Sequence, residues 1–187
     1  RPEWFFENAS RYDNDDRNGP KIFAGEYAGQ SDKTVSVENK NNVRTAIAEA
    51  AFLTGLERNA DVVVIASYAP LFAHGDGWQW TPDLIWVDNL RSAGTVNYQV
   101  QKLFATNKGT NAVPALLNNK ILSGLDGLYA SAVTDKNSKE IIIKIVNSSN
   151  TEKATSYLLE GYKKLAAQAT VTVLTGGADQ INTVDNP

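Results

Sequence analysis

The 187-residue sequence predicts two successive regions of different class, an α/β region with parallel strands and then an antiparallel β region. Two observations carry the first region. Short apolar runs stand at 22–24 and 62–72, and an Ala- and Leu-rich segment, 43–60, lies between them. Strand, helix and strand joined by short links make the βαβ unit of a parallel sheet. The third observation is a change near residue 110, after which helical spacing fades and alternating or β-branched runs take over.

At the N-terminus, RPEWFFENASRYDNDDRNGP starts aromatic and turns polar, which suggests a short amphipathic helix closed by the turn Asn18-Gly19-Pro20. KIFAGEYA, 21–28, is an apolar run bounded by turn residues, the pattern of a buried parallel strand. The polar stretch 29–42 is a loop, and Asn41 or Asn42 can cap the helix over 43–60. Ile47, Ala50, Ala51 and Phe52 give that helix a broad apolar face. VVVIASYAPLF, 62–72, is β-branched and reads as a second fully buried strand, and 73–89 as an aromatic loop. A further helix is expected at 95–106, with Val96, Val100, Leu103 and Phe104 on one face and Lys108-Gly109 as its stop. Beyond 110, strands are expected at 128–135, 140–147, 155–161 and 169–174, with a turn at DKNSK.

Composition narrows the function. Net charge is −3 and no basic patch is present, which argues against nucleic acid as a partner. No apolar run approaches the ~20 residues of a membrane span. Cysteine is absent, so disulfides, thiolate metal sites and a cysteine nucleophile are excluded, and one histidine, His74, cannot make a His-rich metal site. Methionine is absent too and the sequence starts at Arg1, so it reads as a piece of something longer.

Glu26 stands out on physical grounds, because it follows a glycine just past a buried strand. In (β/α) barrels the side chains at the C-terminal strand ends form the active site, and a carboxylate in such a cleft can act as nucleophile or acid/base. The competing reading is a structural Glu bonded to a neighbouring Arg. The 73–89 loop holds Trp78, Trp80 and Trp86 with His74, Asp76, Gln79 and Asp83 interleaved. Indoles beside amides and carboxylates suit a sugar, whose ring stacks while its hydroxyls find polar groups. The competing reading is a Trp-rich plug against the β region. His74 could carry a proton, or could be a hydrogen-bonding loop residue. Asp13, Asp15 and Asp16 lack the glycine and terminal Glu of a calcium loop and read as a solvated acidic turn.

GPKIFAGEYA, AIAEAAFLTGLERNADVVVIASYAPLFAH, WQWTPDLIWVDN and NYQVQKLFATNKG, in this order between about Trp4 and Gly109, resemble the α-L-arabinofuranosidases of glycoside hydrolase family 51. The resemblance implies the last part of a (β/α)8 barrel over 1–109 and an antiparallel β-sandwich, incomplete here, over 110–187. It implies removal of terminal α-L-arabinofuranosyl residues from arabinan- and arabinoxylan-type glycans with retention, and Glu26 as the catalytic nucleophile. The family's acid/base Glu follows an Asn at the end of the fourth barrel strand, and no such element precedes Glu26 here. The parent is then an enzyme and this piece alone is inactive. Trp78, Gln79, Trp80, Asp83 and His74 are the candidates for binding the sugar. No cofactor or metal is called for, since the chemistry is acid–base and nucleophilic. The expected partner is an arabinose-containing poly- or oligosaccharide. Uncovered strand edges make a homo-oligomer an open question, and glycan-degrading chemistry points to a secreted or periplasmic setting. Two other classes stay open: a carbohydrate-binding module, which would make no use of Glu26, and a structural β unit without sugar affinity.

Overall fold

The computed structural model describes residues 1–162 and 164–187. Helix α1 (Pro2–Glu7) opens the chain, with Pro2 in its first turn, where the missing N–H has no intrahelical partner to lose. Its Phe5 is buried edge-on against Phe52, ring centroids 5.5 Å apart. The polar stretch after α1 is anchored rather than solvated throughout. Arg58 Nε donates to Asp13 Oδ1 at 3.0 Å and Asn59 Nδ2 donates to the same oxygen at 2.7 Å. Asp13 is therefore a structural acceptor, and no group of three potential metal ligands occurs among the described residues.

Strand β1 (Ile22–Tyr27) and strand β2 (Val63–Tyr68) pair in parallel, and helix α2 (Val43–Arg58) lies between them in sequence. Asn42 is the cap of α2: its side chain accepts from Thr45 N at 3.0 Å and Thr45 Oγ1 accepts from Asn42 N at 3.2 Å. Ala46, Ala48, Ala51, Phe52 and Leu56 of α2 form the centre of the core with Phe5, Val62, Val63, Val96, Val100, Tyr129 and Val146. The expectation of fully buried strands is corrected, since Phe23, Val64 and Ile65 are more than half exposed. This sheet has two strands among the described residues, and their side chains alternate between its two faces.

Strand β2 ends at Tyr68, short of the expected 72, because Pro70 cannot donate to a ladder. The aromatic segment is also more ordered than a loop. Strand β3 (Phe72–His74), strand β4 (Ile85–Val87) and strand β5 (Ser92–Gly94) form a second small sheet, parallel between β3 and β4 and antiparallel between β4 and β5. Helix α3 (Val96–Thr106) begins at the cap Thr95 and ends at Asn107, before the expected Lys108-Gly109 stop. Asn107 Nδ2 itself donates to Leu103 O at 2.9 Å and so closes the last turn.

The second region is antiparallel. Strand β6 (Asn111–Val113), strand β9 (Ser123–Leu125), strand β10 (Leu128–Thr134) and strand β11 (Ile141–Asn147) share one sheet, with β10 bonded to the other three. Strands β7 (Leu116–Leu117) and β8 (Lys120–Ile121) form a separate short pair. The Asp135 carboxylate accepts from Asn137 N and Ser138 N and shapes the β10–β11 turn. Sheet and helix are tied by Glu57 of α2, which accepts from Ser131 of β10 and Lys144 of β11. The strands expected at 155–161 and 169–174 are not formed. A strand needs a ladder, and neither segment has one among the described residues; Leu158, Val171 and Val173 stay exposed. Further on the chain returns to α2, where Val43 N donates to Gln180 O and Arg44 N to Ala178 O, both at 3.0 Å. Two N–H groups that a helix N-terminus leaves free are thereby satisfied.

Candidate active site at the end of the first strand

Glu26 occupies the next-to-last position of β1 and has φ 52°, in the left-handed region that a side chain with a Cβ enters at a cost of roughly 1 kcal/mol. The register explains how the strand absorbs it. Ala24 faces Ala66 and Tyr27 faces Tyr68, so β1 spends three steps where β2 spends two. Nothing in the sequence pattern announces this bulge, which places Glu26 at its irregular step. Glu26 is exposed and lines a cleft of about 380 Å³ together with Arg1, Trp4, Tyr12, Gln30, Thr34 and Ala69. None of the seven ion pairs among the described residues includes Glu26.

Behind the strand end lies a buried polar set. Tyr27 Oη donates to Gln101 Oε1 of α3 at 2.8 Å, and Gln101 Nε2 reaches Glu49 Oε2 of α2 at 3.3 Å. Glu49 Oε1 accepts from Gly29 N at 2.6 Å. Glu49 is fully buried, and that burial pushes its carboxyl up to about 7, against the opposing pull of the Gly29 N–H and nearby side-chain amides. Burial likewise raises Tyr27 and Tyr68 above the ordinary phenol range, with the Glu49 charge adding to it. The two phenol rings meet edge to face with centroids 5.9 Å apart, and Asn41 Nδ2 donates to Tyr68 Oη at 2.8 Å.

None of His74, Trp78, Gln79, Trp80 and Asp83 is among the residues lining this cleft. Trp78, Gln79 and Trp80 are exposed, and Trp78 meets Trp86 edge to face at 6.0 Å. His74 behaves as a loop organiser: its Nδ1 accepts from Asp76 N at 3.2 Å and its Nε2 lies 3.3 Å from Asn89 Oδ1. Asp83 is buried with Oδ2 unpartnered among the described residues, and burial pushes its carboxyl up to about 6.

Glu49 escaped the sequence reading, although a signal exists. It is the lone carboxylate in AIAEAAF, and Thr45, Ala46, Phe52 and Leu53, three and four residues away on the same helix face, are all buried. A charge at the centre of an apolar face is a buried charge, and buried charges need partners.

Residues 25–187 match the family described as the alpha-L-arabinofuranosidase C-terminal domain. An extracellular exo-alpha-L-arabinofuranosidase of Streptomyces chartreusis is 53% identical over 114 residues, 61% of this chain and 13% of that protein. Alpha-L-arabinofuranosidase 2 of Arabidopsis thaliana is 39% identical over 145 residues, 76% of this chain and 20% of that protein. Among solved structures, the arabinose-bound MgGH51 α-L-arabinofuranosidase superposes with a TM-score of 0.71 at 40% identity, covering 80% of this chain and 25% of that one. The chain thus spans a quarter or less of the length of these relatives. With 163 of its residues inside the family match, this chain belongs to the alpha-L-arabinofuranosidase C-terminal domain family.

Proposed function

We propose that this chain is the C-terminal part of a retaining α-L-arabinofuranosidase, and that Glu26 is the nucleophile of the whole enzyme. Residues 1–109 would be the last part of a (β/α)8 catalytic barrel and residues 110–187 its β-sandwich companion. The observation that carries the reading is the place of Glu26: an exposed carboxylate at the C-terminal end of a parallel strand, at a bulge and lining a cleft.

In this mechanism the Glu26 carboxylate attacks the anomeric carbon, the bond to the leaving oxygen breaks, and a covalent glycosyl-enzyme forms. A second carboxyl, from the part of the enzyme outside this chain, protonates the leaving oxygen and then takes a proton from the water that releases the sugar. The substrate class is a glycan with terminal α-L-arabinofuranosyl groups, such as arabinan or arabinoxylan. Trp78, Gln79, Trp80, Asp83 and His74 would serve at the entrance to the sugar subsite. The exposure of Trp78, Gln79 and Trp80 suits a ring-stacking platform. The reaction calls on no cofactor. An exported enzyme fits the Streptomyces relative, whose name calls it extracellular, and no helix among the described residues is long and apolar enough to cross a membrane.

The test is an aryl α-L-arabinofuranoside assay on the full-length enzyme, its Glu26→Gln variant and this chain alone. The reading expects turnover by the first only. Turnover by the isolated chain near the full-length rate, or by the Gln variant, contradicts it. Saccharide binding that survives Glu26→Gln, with no hydrolysis by the full-length protein, would favour a carbohydrate-binding module.

A further inference from the structure

Glu26 adopts a backbone conformation that its residue type disfavours, and something must hold it there. The ladder to β2 fixes Ala24 and Tyr27 on either side of the bulge. The backbone beyond the bulge is held from two helices at once. One residue after Glu26, the Tyr27 hydroxyl is held by Gln101 of α3, and three residues after it the Gly29 N–H is held by Glu49 of α2. Gln101 and Glu49 also face each other, so Tyr27, Gln101, Glu49 and Gly29 form a closed loop of contacts around the exit of β1. Gly29 lies flush against this support. A Cβ placed on it would come within 3.0 Å of Glu49 Oε1 and 3.1 Å of Thr45 Cβ.

Stability alone does not account for a carboxyl at position 49. A buried ionisable group is costly, and an apolar side chain of similar size commonly serves a core as well or better. What an apolar side chain cannot offer is an acceptor for the Gly29 N–H and a polar partner for the Gln101 amide. We propose that Glu49 is a positioning residue for Glu26: through Gly29 and Gln101 it sets the exit of β1 and so the place of the nucleophile. This rests on Glu26 being the nucleophile.

The geometry makes the variants unequal. Glu49→Leu removes both acceptors. Glu49→Gln keeps one for Gly29, and its new amide donor is met if Gln101 turns over, because the Tyr27 hydroxyl can accept as well as donate. Gln101→Leu cuts the second arm at a half-buried position and leaves Gly29 held.

The experiment measures kcat and KM on an aryl α-L-arabinofuranoside with the full-length enzyme carrying Glu49→Leu, Glu49→Gln or Gln101→Leu, and Glu26→Gln as reference. A misplacement near 1 Å costs up to ~10²-fold. Glu49→Leu is expected to lower kcat by about 10- to 100-fold with KM within about twofold, and Glu49→Gln to recover most of that loss. Gln101→Leu is expected to lower kcat about 3- to 10-fold, and it decides the matter if Glu49→Leu fails to fold. Unchanged kcat in Gln101→Leu, loss confined to KM, or a Glu49→Gln variant as impaired as Glu49→Leu would overturn the proposal. An active Glu26→Gln enzyme would instead overturn the nucleophile assignment on which it rests.

Discussion

Gly55 of α2 lies so close to Ala9 that a Cβ on it would stand 2.0 Å from the Ala9 carbonyl oxygen. The turn after α1 thus presses its backbone directly onto α2, and Arg58 Nη2 donates to the same carbonyl at 2.9 Å. A helix-interior glycine ordinarily weakens a helix by about 1 kcal/mol relative to Ala, so Gly55→Ala would be stabilising if space allowed. Here the overlap dominates. Gly55→Ala is expected to destabilise the chain by about 2–3 kcal/mol, read as a lower urea midpoint at unchanged slope. A stabilised variant would show that α1 does not pack on α2 as described.

Stability should depend on pH through Glu49. Its carboxyl is raised from 4.5 to about 7 by burial, so the folded state binds this proton more tightly than the unfolded chain does. The contribution is full below about pH 4.5 and is lost as pH rises through 7. Against the Glu49→Gln variant, the native chain is expected to lose stability on the order of 3 kcal/mol between pH 4.5 and pH 7.5. Asp83, raised from 3.8 to about 6, acts in the same direction over a lower window. Urea titrations of both chains across this range check it, and a pH-independent difference would contradict it.

The joint between α2 and the second region is the Glu57–Lys144 pair, whose side chains are 14% and 10% exposed. Lys144 Nζ also donates to Asn107 O at 2.6 Å and lies 5.2 Å from the centroid of the Phe104 ring. Lys144→Met leaves the Glu57 charge buried without its cation and should cost on the order of 3 kcal/mol. Adding Glu57→Gln should recover much of that loss, because the two effects share one interaction. Additive losses would mean that the pair is not coupled.

Local pattern carried the reading wherever one element satisfies itself. The apolar face of 43–60 gave α2, the spacing of Val96 and Val100 gave α3, and the alternation in LYASAVTD beside the β-branched EIIIKIVN gave the β10–β11 pair. Pairing across the chain was less legible. An apolar run such as VVVIASY has the same appearance whether or not other elements cover the sheet, so the exposure of Val64 and Ile65, on opposite faces, could not be read. Segments 155–161 and 169–174 have strand-like composition, but a strand is defined by a neighbour and composition names none. The place of Glu26 at the end of a parallel strand was legible from the apolar run and the glycine before it. The bulge beside it depends on the register with β2, and the partners of Glu49 stand 20 and 52 positions away.

The central claim is that Glu26 attacks the anomeric carbon. Replacing it with Ala in the full-length enzyme leaves a space for a small anion, while the separate acid can still protonate a good leaving group. The direct measurement is the anomeric configuration, by NMR, of the sugar azide formed by Glu26→Ala with azide and an aryl α-L-arabinofuranoside. Retention is two inversions, so a single attack by azide should give the inverted β-arabinofuranosyl azide, with hydrolysis otherwise abolished. An α-arabinofuranosyl azide would mean that Glu26 is the acid/base and that another residue carries the glycosyl group. No azide product, together with lost stability, would mean that Glu26 is structural; either result contradicts the account.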